Sequence, residues 1–144
     1  MRFATALEAA EAYRDAAKAA LVGRLLEQSI EADQRAAHGF AWVATSVAAL
    51  GAVHYWLDSN GGGTQLDQQI ASLIFTETLG QLTGGLPMGQ NEIFRPIDLG
   101  TNNAAQSLAQ NCASWLHTDQ ADTREAVAQA LAEGESIHLG QHQI

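Results

Sequence analysis

Apolar residues recur every three or four positions along the first sixty residues, which is the spacing of an amphipathic α-helix. From about Thr5 to Gln28, acidic residues and a lysine lie opposite the apolar stripe. Thr5 and Glu8 match the capping box, in which two side chains satisfy free backbone groups at a helix start. The pattern therefore predicts a first helix that begins near Thr5 and buries an apolar stripe formed by Leu7, Ala10, Tyr13 or Arg14, Ala17, Leu21 and Leu25.

The second helix is predicted from about Glu31 to Ser59 and is the most apolar segment of the chain. Because it is apolar on most sides, we expect it to lie at the centre of a helical bundle. Gly39 and Gly51 each cost about 1 kcal/mol relative to alanine inside a helix. We therefore expect both glycines to allow close contact with a neighbouring helix. The run Asn60–Gly63 ends this helix, since glycine adopts left-handed backbone without a steric penalty.

Three further helices follow, each with a boundary signal. Thr64 and Asp67 resemble a second cap, before a helix that reaches about Thr83. A fourth helix is predicted over 102–117, and Asp122 or Thr123 caps a short fifth helix that ends near Gly134.

The segment Gly84–Gly100 contains both prolines of the chain and cannot continue the third helix. It is too apolar for a solvated linker, so we expect an ordered segment with at most one helical turn, packed against something. The sequence thus predicts an all-α, antiparallel bundle of four to five helices with one ordered nonhelical segment at about 84–100. We expect one domain over 1–135 and a weakly structured tail, or the start of a linker, over 136–144.

The composition excludes several classes of partner. The net charge is −9 with only seven lysines and arginines, and these are scattered along the sequence. Nucleic acids and anionic membranes require a clustered basic face, so neither is expected as a partner. We expect the apolar stretches to fall short of the 18 or more uncharged residues that a membrane-spanning helix needs. Glu8, Glu11 and Asp15 interrupt the region where a signal peptide needs an apolar core, which favours a cytoplasmic location.

Catalytic and metal-binding motifs are not found in the sequence. Cys112 is the single cysteine and lies among apolar residues on a predicted helix, where a buried thiol is inert. A di-iron bundle requires a Glu-x-x-His motif on each of two helices, and the sequence contains one such motif, Glu135 with His138, in the predicted tail. His138 and His142 are four residues apart, but we assign them to a solvated tail rather than to a metal site. The expectation is that this chain holds no catalytic residue, metal or cofactor of its own.

His54 and Glu77 form the one candidate polar pair. His54 falls on the apolar stripe of the second helix, and Glu77 lies on the third helix. A buried histidine–glutamate pair would resemble a proton-transfer site. Such pairs more often satisfy two polar groups inside a bundle, and this structural interpretation is favoured.

The segment Gly84–Gly100 is the most informative part of the sequence, because restricted apolar segments either cap a bundle or dock on a partner. Glu92 and Arg95 could pair with each other, or Arg95 could reach a carboxylate or phosphate of a partner, and the sequence leaves both open. The candidate docking residues are Leu86, Pro87, Met88, Glu92, Phe94 and Arg95.

A family resemblance rests on two separated blocks. Residues 36–45 read AAHGFAWVAT, and residues 84–93 read GGLPMGQNEI, followed by Asp98, Leu99 and Gly100. In this order they resemble the helical N-terminal extension of methylsuccinyl-CoA dehydrogenase-type acyl-CoA dehydrogenases, over about residues 33–100. The resemblance implies a domain placed ahead of a flavin-dependent unit that oxidises an acyl-CoA thioester at its α and β carbons. FAD is implied only for that unit, and none of the residues of this chain matches a flavin, CoA or catalytic position.

Three functional hypotheses follow. The leading one is a noncatalytic accessory domain that packs on an acyl-CoA dehydrogenase-like catalytic unit through the segment Gly84–Gly100 and exposed helix faces. The second is a self-associating bundle, in which the alanine-rich first helix forms the interface of a dimer. The third is a small ligand-binding bundle that uses His54 and Glu77.

Overall fold

The computed structural model describes residues 2–137, which fold into helices and one short hairpin. Its elements are α1 (Phe3–Leu25), α2 (Gln34–Ser59), α3 (Gln65–Gly84), β1 (Leu86–Gly89), β2 (Glu92–Phe94), α4 (Pro96–Leu99), α5 (Asn102–Asn111), α6 (Ala113–Leu116) and α7 (Ala121–Ala132). The predicted all-α bundle with one nonhelical segment is confirmed. Most of the predicted tail, including His138 and His142, lies outside the described residues, so the predicted division of the chain at residue 135 stays a prediction.

The first helix begins earlier than its sequence predicts. It starts at Phe3 with Arg2 at the cap position and no side-chain capping bond, so the prediction of a cap at Thr5 and Glu8 is wrong. The ring of Phe3 lies 5.1 Å from the ring of Phe75 on α3 and contacts Trp115 as well. Aromatic packing of this kind stabilises the first turn through tertiary contacts, which a local capping pattern does not reveal.

The centre of the bundle is α3, whereas the apolar pattern predicted α2 there. α3 contacts each of the other helices, and its buried residues include Ala71, Phe75 and Leu79, none of which is exposed to solvent. α2 packs on α1 and α3 along one side only, with Val43, Val47 and Leu50 buried. The prediction that α2 is central is therefore wrong, because the bundle buries only one of its two apolar faces.

α2 also corrects the expectation about membrane spans. Among the described residues, Gln34–Ser59 is one helix that is long and apolar enough to cross a bilayer, with a mean hydropathy of 1.4 over 18 residues. No Asp, Glu, Lys or Arg occurs between Arg35 and Asp58. Alanine and glycine make up much of this run, so the spacing of the large apolar residues does not reveal how long the uncharged stretch is.

The start of α3 agrees with its predicted cap. The Thr64 hydroxyl accepts the backbone N–H of Asp67 at 3.1 Å, and the Asp67 carboxylate accepts the backbone N–H of Thr64 at 2.9 Å. Asp67 is fully buried. The reciprocal bonds satisfy two donors that the first turn of a helix otherwise leaves free.

Two later helix boundaries differ from their predictions. The predicted fourth helix is divided at Cys112 into α5 and α6. α7 begins at Ala121, whose backbone N–H is bound by the carboxylate of Asp119 rather than by Asp122 or Thr123.

The two capping patterns give a direct test of these boundaries. Thr64→Ala is expected to lower the free energy of unfolding by about 1 kcal/mol, because it removes a capping bond. Thr5→Ala is the matched control and is expected to be neutral or slightly stabilising, since Thr5 lies inside α1 and alanine favours helix. Urea denaturation of both variants measures the difference, and equal destabilisation would contradict the boundary of α1.

Candidate functional site

The segment Gly84–Gly100 forms a β-hairpin followed by a single helical turn. β1 and β2 pair antiparallel, with Leu86 opposite Phe94 and a register shift between Pro87 and Gly89. Asn91 turns the chain with a φ of 61°, a left-handed conformation that asparagine tolerates better than most residues. The sequence predicted an ordered segment with at most one helical turn and missed the hairpin, because strands this short have no periodicity to recognise.

The inner side of the hairpin belongs to the core of the bundle. Leu86 is 3% exposed and Phe94 is 2% exposed. The Phe94 ring lies directly over Gly39 of α2, where the Cβ of any larger residue would overlap the ring carbons. Gly39 therefore has the close contact that was predicted for it, although its neighbour is a hairpin rather than a helix. Gly51 has no comparable contact, since a Cβ there would meet only a methyl group of Leu7 at 4.0 Å.

A charged network holds the outer edge of the hairpin to α2. The Arg35 guanidinium donates to the backbone carbonyl of Ile93 at 2.8 Å and to the carboxylate of Asp98 at 3.2 Å. It also lies 3.5 Å from the carboxylate of Glu92. Glu92 thus pairs with Arg35 rather than with Arg95, which answers one of the alternatives that the sequence left open.

Asp98 is the acceptor on which this network converges. Its carboxylate accepts the backbone N–H of Arg95 at 2.7 Å, at the start of α4. This bond, together with the Arg35 guanidinium, holds the pKa of Asp98 below its ordinary value of 3.8. The charged form of Asp98 is therefore the form that stabilises the segment.

A third anchor joins the end of the segment to α1. The Thr101 hydroxyl donates to the carbonyl of Pro96 at 3.2 Å, so it accepts the hydroxyl of Tyr13 at 2.9 Å. Tyr13 is 3% exposed, and its burial raises the pKa of its phenol. The hairpin segment is consequently bonded to α1 and α2 and is a fixed part of the bundle.

The outer side of the segment is the candidate docking surface. Of the six predicted docking residues, Leu86 and Phe94 are core residues and cannot contact a partner, because the bundle already surrounds them. Pro87, Glu92 and Arg95 are exposed, and Met88 is half-buried.

Beside these residues lies a shallow cleft of about 360 Å³, whose rim includes Arg95 and Ile97. Ile97 is 63% exposed, so this turn places a large apolar side chain at the surface. The docking residues predicted from the sequence do not include Ile97, because the sequence pattern does not show which apolar residues of the segment face the bundle and which face solvent. Among residues 2–137, Arg95 forms no ion pair within 4 Å, so its guanidinium faces solvent at the edge of the cleft.

The proposed pair of His54 and Glu77 does not form. His54 lies 3.8 Å from Asp58 on its own helix. Glu77 is 59% exposed and binds Arg124 of α7 at 2.5 Å. The two side chains face different neighbours and are not a buried pair, because the rotation of α2 in the bundle turns His54 toward its own last turn.

Two other candidate groups have structural partners. Cys112 is fully buried where α5 meets α6, and its burial raises the pKa of the thiol, which keeps it protonated and unreactive. The indole N–H of Trp42 donates to Nε2 of His38 at 2.8 Å. Within residues 2–137 there is no group of three or more histidine, cysteine or acidic residues placed to hold a metal ion.

Comparison with known proteins supports a partial relationship. The chain is 34% identical over 104 residues to the (2S)-methylsuccinyl-CoA dehydrogenase of Cereibacter sphaeroides, an alignment that covers 66% of this chain and 19% of that protein. The chain therefore spans about a fifth of the length of this curated relative. No family model matches the chain, and no solved structure matches it. The chain is thus similar to a limited region of an acyl-CoA dehydrogenase-related protein.

The contact between Phe94 and Gly39 predicts opposite effects for two alanine substitutions in α2. Gly39→Ala is expected to lower the free energy of unfolding by about 1–3 kcal/mol, because the buried Phe94 ring must move, and this outweighs the gain in helix propensity. Gly51→Ala is the control and is expected to raise stability by up to about 1 kcal/mol. Thermal and urea denaturation measure both, and a stabilising Gly39→Ala would contradict the packing of the hairpin on α2.

The lowered pKa of Asp98 predicts a pH-dependent contribution to stability. A carboxyl whose pKa is lower when folded stabilises the fold above its unfolded pKa, and the contribution is lost as pH falls through the folded pKa. Asp98→Asn is expected to cost about 1 kcal/mol at pH 7, and this difference from the parent protein should shrink below about pH 4. Urea denaturation between pH 7 and pH 2.5 measures it.

Asp15→Asn is the control for the Asp98 experiment, because within residues 2–137 Asp15 forms only an exposed pair with the adjacent Arg14. Its effect is expected to stay within about 0.5 kcal/mol at every pH. A cost of Asp98→Asn that does not change with pH would contradict the charged network.

Proposed function

We propose that this chain is a noncatalytic helical accessory region that packs on the catalytic unit of a flavin-dependent acyl-CoA dehydrogenase or aids its assembly. The observation that carries the proposal is the extent of the similarity, which covers two thirds of this chain but only a fifth of the dehydrogenase. A similarity of this extent is expected for a region that forms one part of a larger enzyme and does not carry out the reaction of that enzyme alone. In this proposal FAD and the acyl-CoA substrate belong to the catalytic unit, and no residue of this chain contacts either.

The surface proposed for docking is the outer side of the hairpin segment. The three anchors described above hold the segment rigidly, so a partner that binds it does not have to order it first. Ile97 supplies an exposed apolar anchor beside the cleft, and Arg95 supplies an exposed cation at its rim. A buried apolar group surrounded by a polar rim is the usual arrangement of a protein–protein interface.

The hypothesis of a ligand-binding bundle receives no support from the geometry. It required His54 and Glu77 to share a buried site, and instead His54 lies beside Asp58 while Glu77 pairs with Arg124. The hypothesis of self-association also changes, since α1 directs Ala6, Ala10 and Ala17 into the core of its own bundle. The outward side of α1 carries charged residues such as Glu8, Asp15 and Lys18, so the alanine stripe of α1 is not available for a dimer.

The proposal is tested by mixing the purified chain with a flavin-loaded acyl-CoA dehydrogenase catalytic unit from the same organism. We expect a complex in size-exclusion chromatography with light scattering and a measurable affinity by calorimetry. Ile97→Glu is expected to weaken binding by at least about tenfold, because it places a charge on the apolar anchor. Leu131→Glu is the matched control, since Leu131 is 49% exposed on α7, away from the segment.

Circular dichroism shows whether each variant keeps the helical content and melting temperature of the parent protein. No complex at any concentration would overturn the proposed function. Equal weakening by both variants would place the contact somewhere other than the hairpin segment.

A further inference from the structure

A second surface, on α2, is apolar, uncharged and uncovered. It comprises six exposed residues on the side of the helix opposite the buried residues Val43, Val47 and Leu50. We refer to them as the α2 outer face: Trp42, Thr45, Ala48, Ala49, Ala52 and Tyr55. Tyr55 is 75% exposed and Trp42 is 39% exposed. A helix that buries one apolar face and exposes another indicates a missing neighbour.

The spacing of these residues is symmetric along the helix. Counted outward from the point between Ala48 and Ala49, Thr45 corresponds to Ala52, and Trp42 corresponds to Tyr55. Each half therefore carries two small residues near the middle and one aromatic residue at the end. An interface with twofold symmetry uses the same patch on both subunits and must be complementary to itself. The α2 outer face meets this condition when two copies of the helix run antiparallel.

The sizes of the side chains also suit helix pairing. Alanines at the middle allow two helix axes to approach to the short end of the usual range of about 8–10 Å. At each end of such a pair, Trp42 of one copy would meet Tyr55 of the other, and aromatic pairs contribute beyond the area that they bury. Positions 42, 45, 49 and 52 follow a spacing of three and four residues, which is the repeat of helices that pack with a small left-handed crossing angle.

Pairing would leave few polar groups without partners. The Thr45 hydroxyl already donates to the carbonyl of Ala41 at 2.8 Å, and the Trp42 indole already donates to His38. No Asp, Glu, Lys or Arg lies between Arg35 and Asp58. Although the chain carries a net charge of −9, two copies can therefore approach along this face without placing like charges opposite each other.

We propose that the α2 outer face is the interface of a homodimer, in which two α2 helices cross antiparallel near Ala48 and Ala49. An aromatic side chain can bury about 150–250 Å², so the exposed parts of the two aromatic residues and the four small residues together offer about 500 Å² of surface per copy. The total of about 1,000 Å² lies at the low end of specific interfaces, so the dimer dissociates on dilution. This proposal is independent of docking on a dehydrogenase, because it concerns another surface and needs only the chain itself.

Sedimentation equilibrium of the purified chain from about 5 to 500 μM tests the proposal. We expect a reversible monomer–dimer equilibrium and a dissociation constant that Ala49→Glu raises at least about tenfold, since two glutamates would meet near the symmetry axis. Ala12→Glu is the matched control, because Ala12 is also an exposed alanine inside a helix, on α1. Glutamate favours helix, and circular dichroism checks that both variants stay folded.

Cross-linking tests the orientation of the two helices. With a maleimide linker of about 8 Å, His38→Cys is expected to link to Ser59→Cys of another copy, because these positions correspond across the symmetry axis. Two His38→Cys chains lie about 30 Å apart in the antiparallel arrangement, at about 1.5 Å of rise per residue, and should not link. Efficient links between two His38→Cys chains would overturn the antiparallel crossing.

Other occupants of the face give different results. A chain that is monomeric at 500 μM and unaffected by Ala49→Glu overturns the dimer. Binding of the monomer to neutral phosphatidylcholine vesicles, lost in Ala49→Glu, would assign the face to a lipid surface instead. Loss of dehydrogenase binding in Ala49→Glu, with no dimer in either protein, would assign it to the catalytic unit.

Discussion

The packing of Phe94 on Gly39 is the contact on which the arrangement of the rest of the chain depends. A side chain at position 39 would occupy the volume of the Phe94 ring, so the hairpin can lie on α2 only where the helix has no Cβ. With the ring in place, β2 runs close enough to α2 for Arg35 to reach Ile93 and Asp98. The bond from the backbone N–H of Arg95 to the Asp98 carboxylate positions α4, and the bond between Tyr13 and Thr101 positions the start of α5. The absence of a Cβ at Gly39 thus determines where the hairpin segment packs on the helical bundle.

This contact also explains why two distant parts of the sequence belong together. The blocks at residues 36–45 and 84–93, with residues 98–100 after them, carry the resemblance to the acyl-CoA dehydrogenase extension, and neither contains a catalytic signature. In the structure, Gly39 of the first block lies under the ring of Phe94, which directly follows residues 84–93, so the two blocks belong to one structural unit. Sequence similarity at residues that pack against each other is typical of two proteins that share a structural region. The similarity to a limited region of a dehydrogenase agrees with this interpretation.

The molecule has two surfaces of different character. The hairpin segment presents one large apolar side chain beside a cleft with a cationic rim, and three anchors hold it in place. The α2 outer face is longer, uncharged and flanked by aromatic residues. A rigid anchor with a polar rim suits a partner of defined shape, whereas a symmetric uncharged helix face suits a second copy of the same helix. The two surfaces share no residue, so the two proposals concern different side chains.

The sequence alone determined those features that depend on neighbouring residues. The periodicity of apolar positions located the long helices, the cap at Thr64 and Asp67 was confirmed, and the glycines and prolines predicted where helices end. It failed where a long-range contact competes with a local signal, since Phe3 extends α1 past the apparent cap at Thr5. It left the partner of Glu92 open, and in the structure that partner is Arg35. Only the tertiary structure decided which face of α2 is buried, whether His54 meets Glu77, and which docking residues remain at the surface. The physical reason is that hydrophobic periodicity identifies apolar faces, while the choice of which face to bury depends on how all helices pack together.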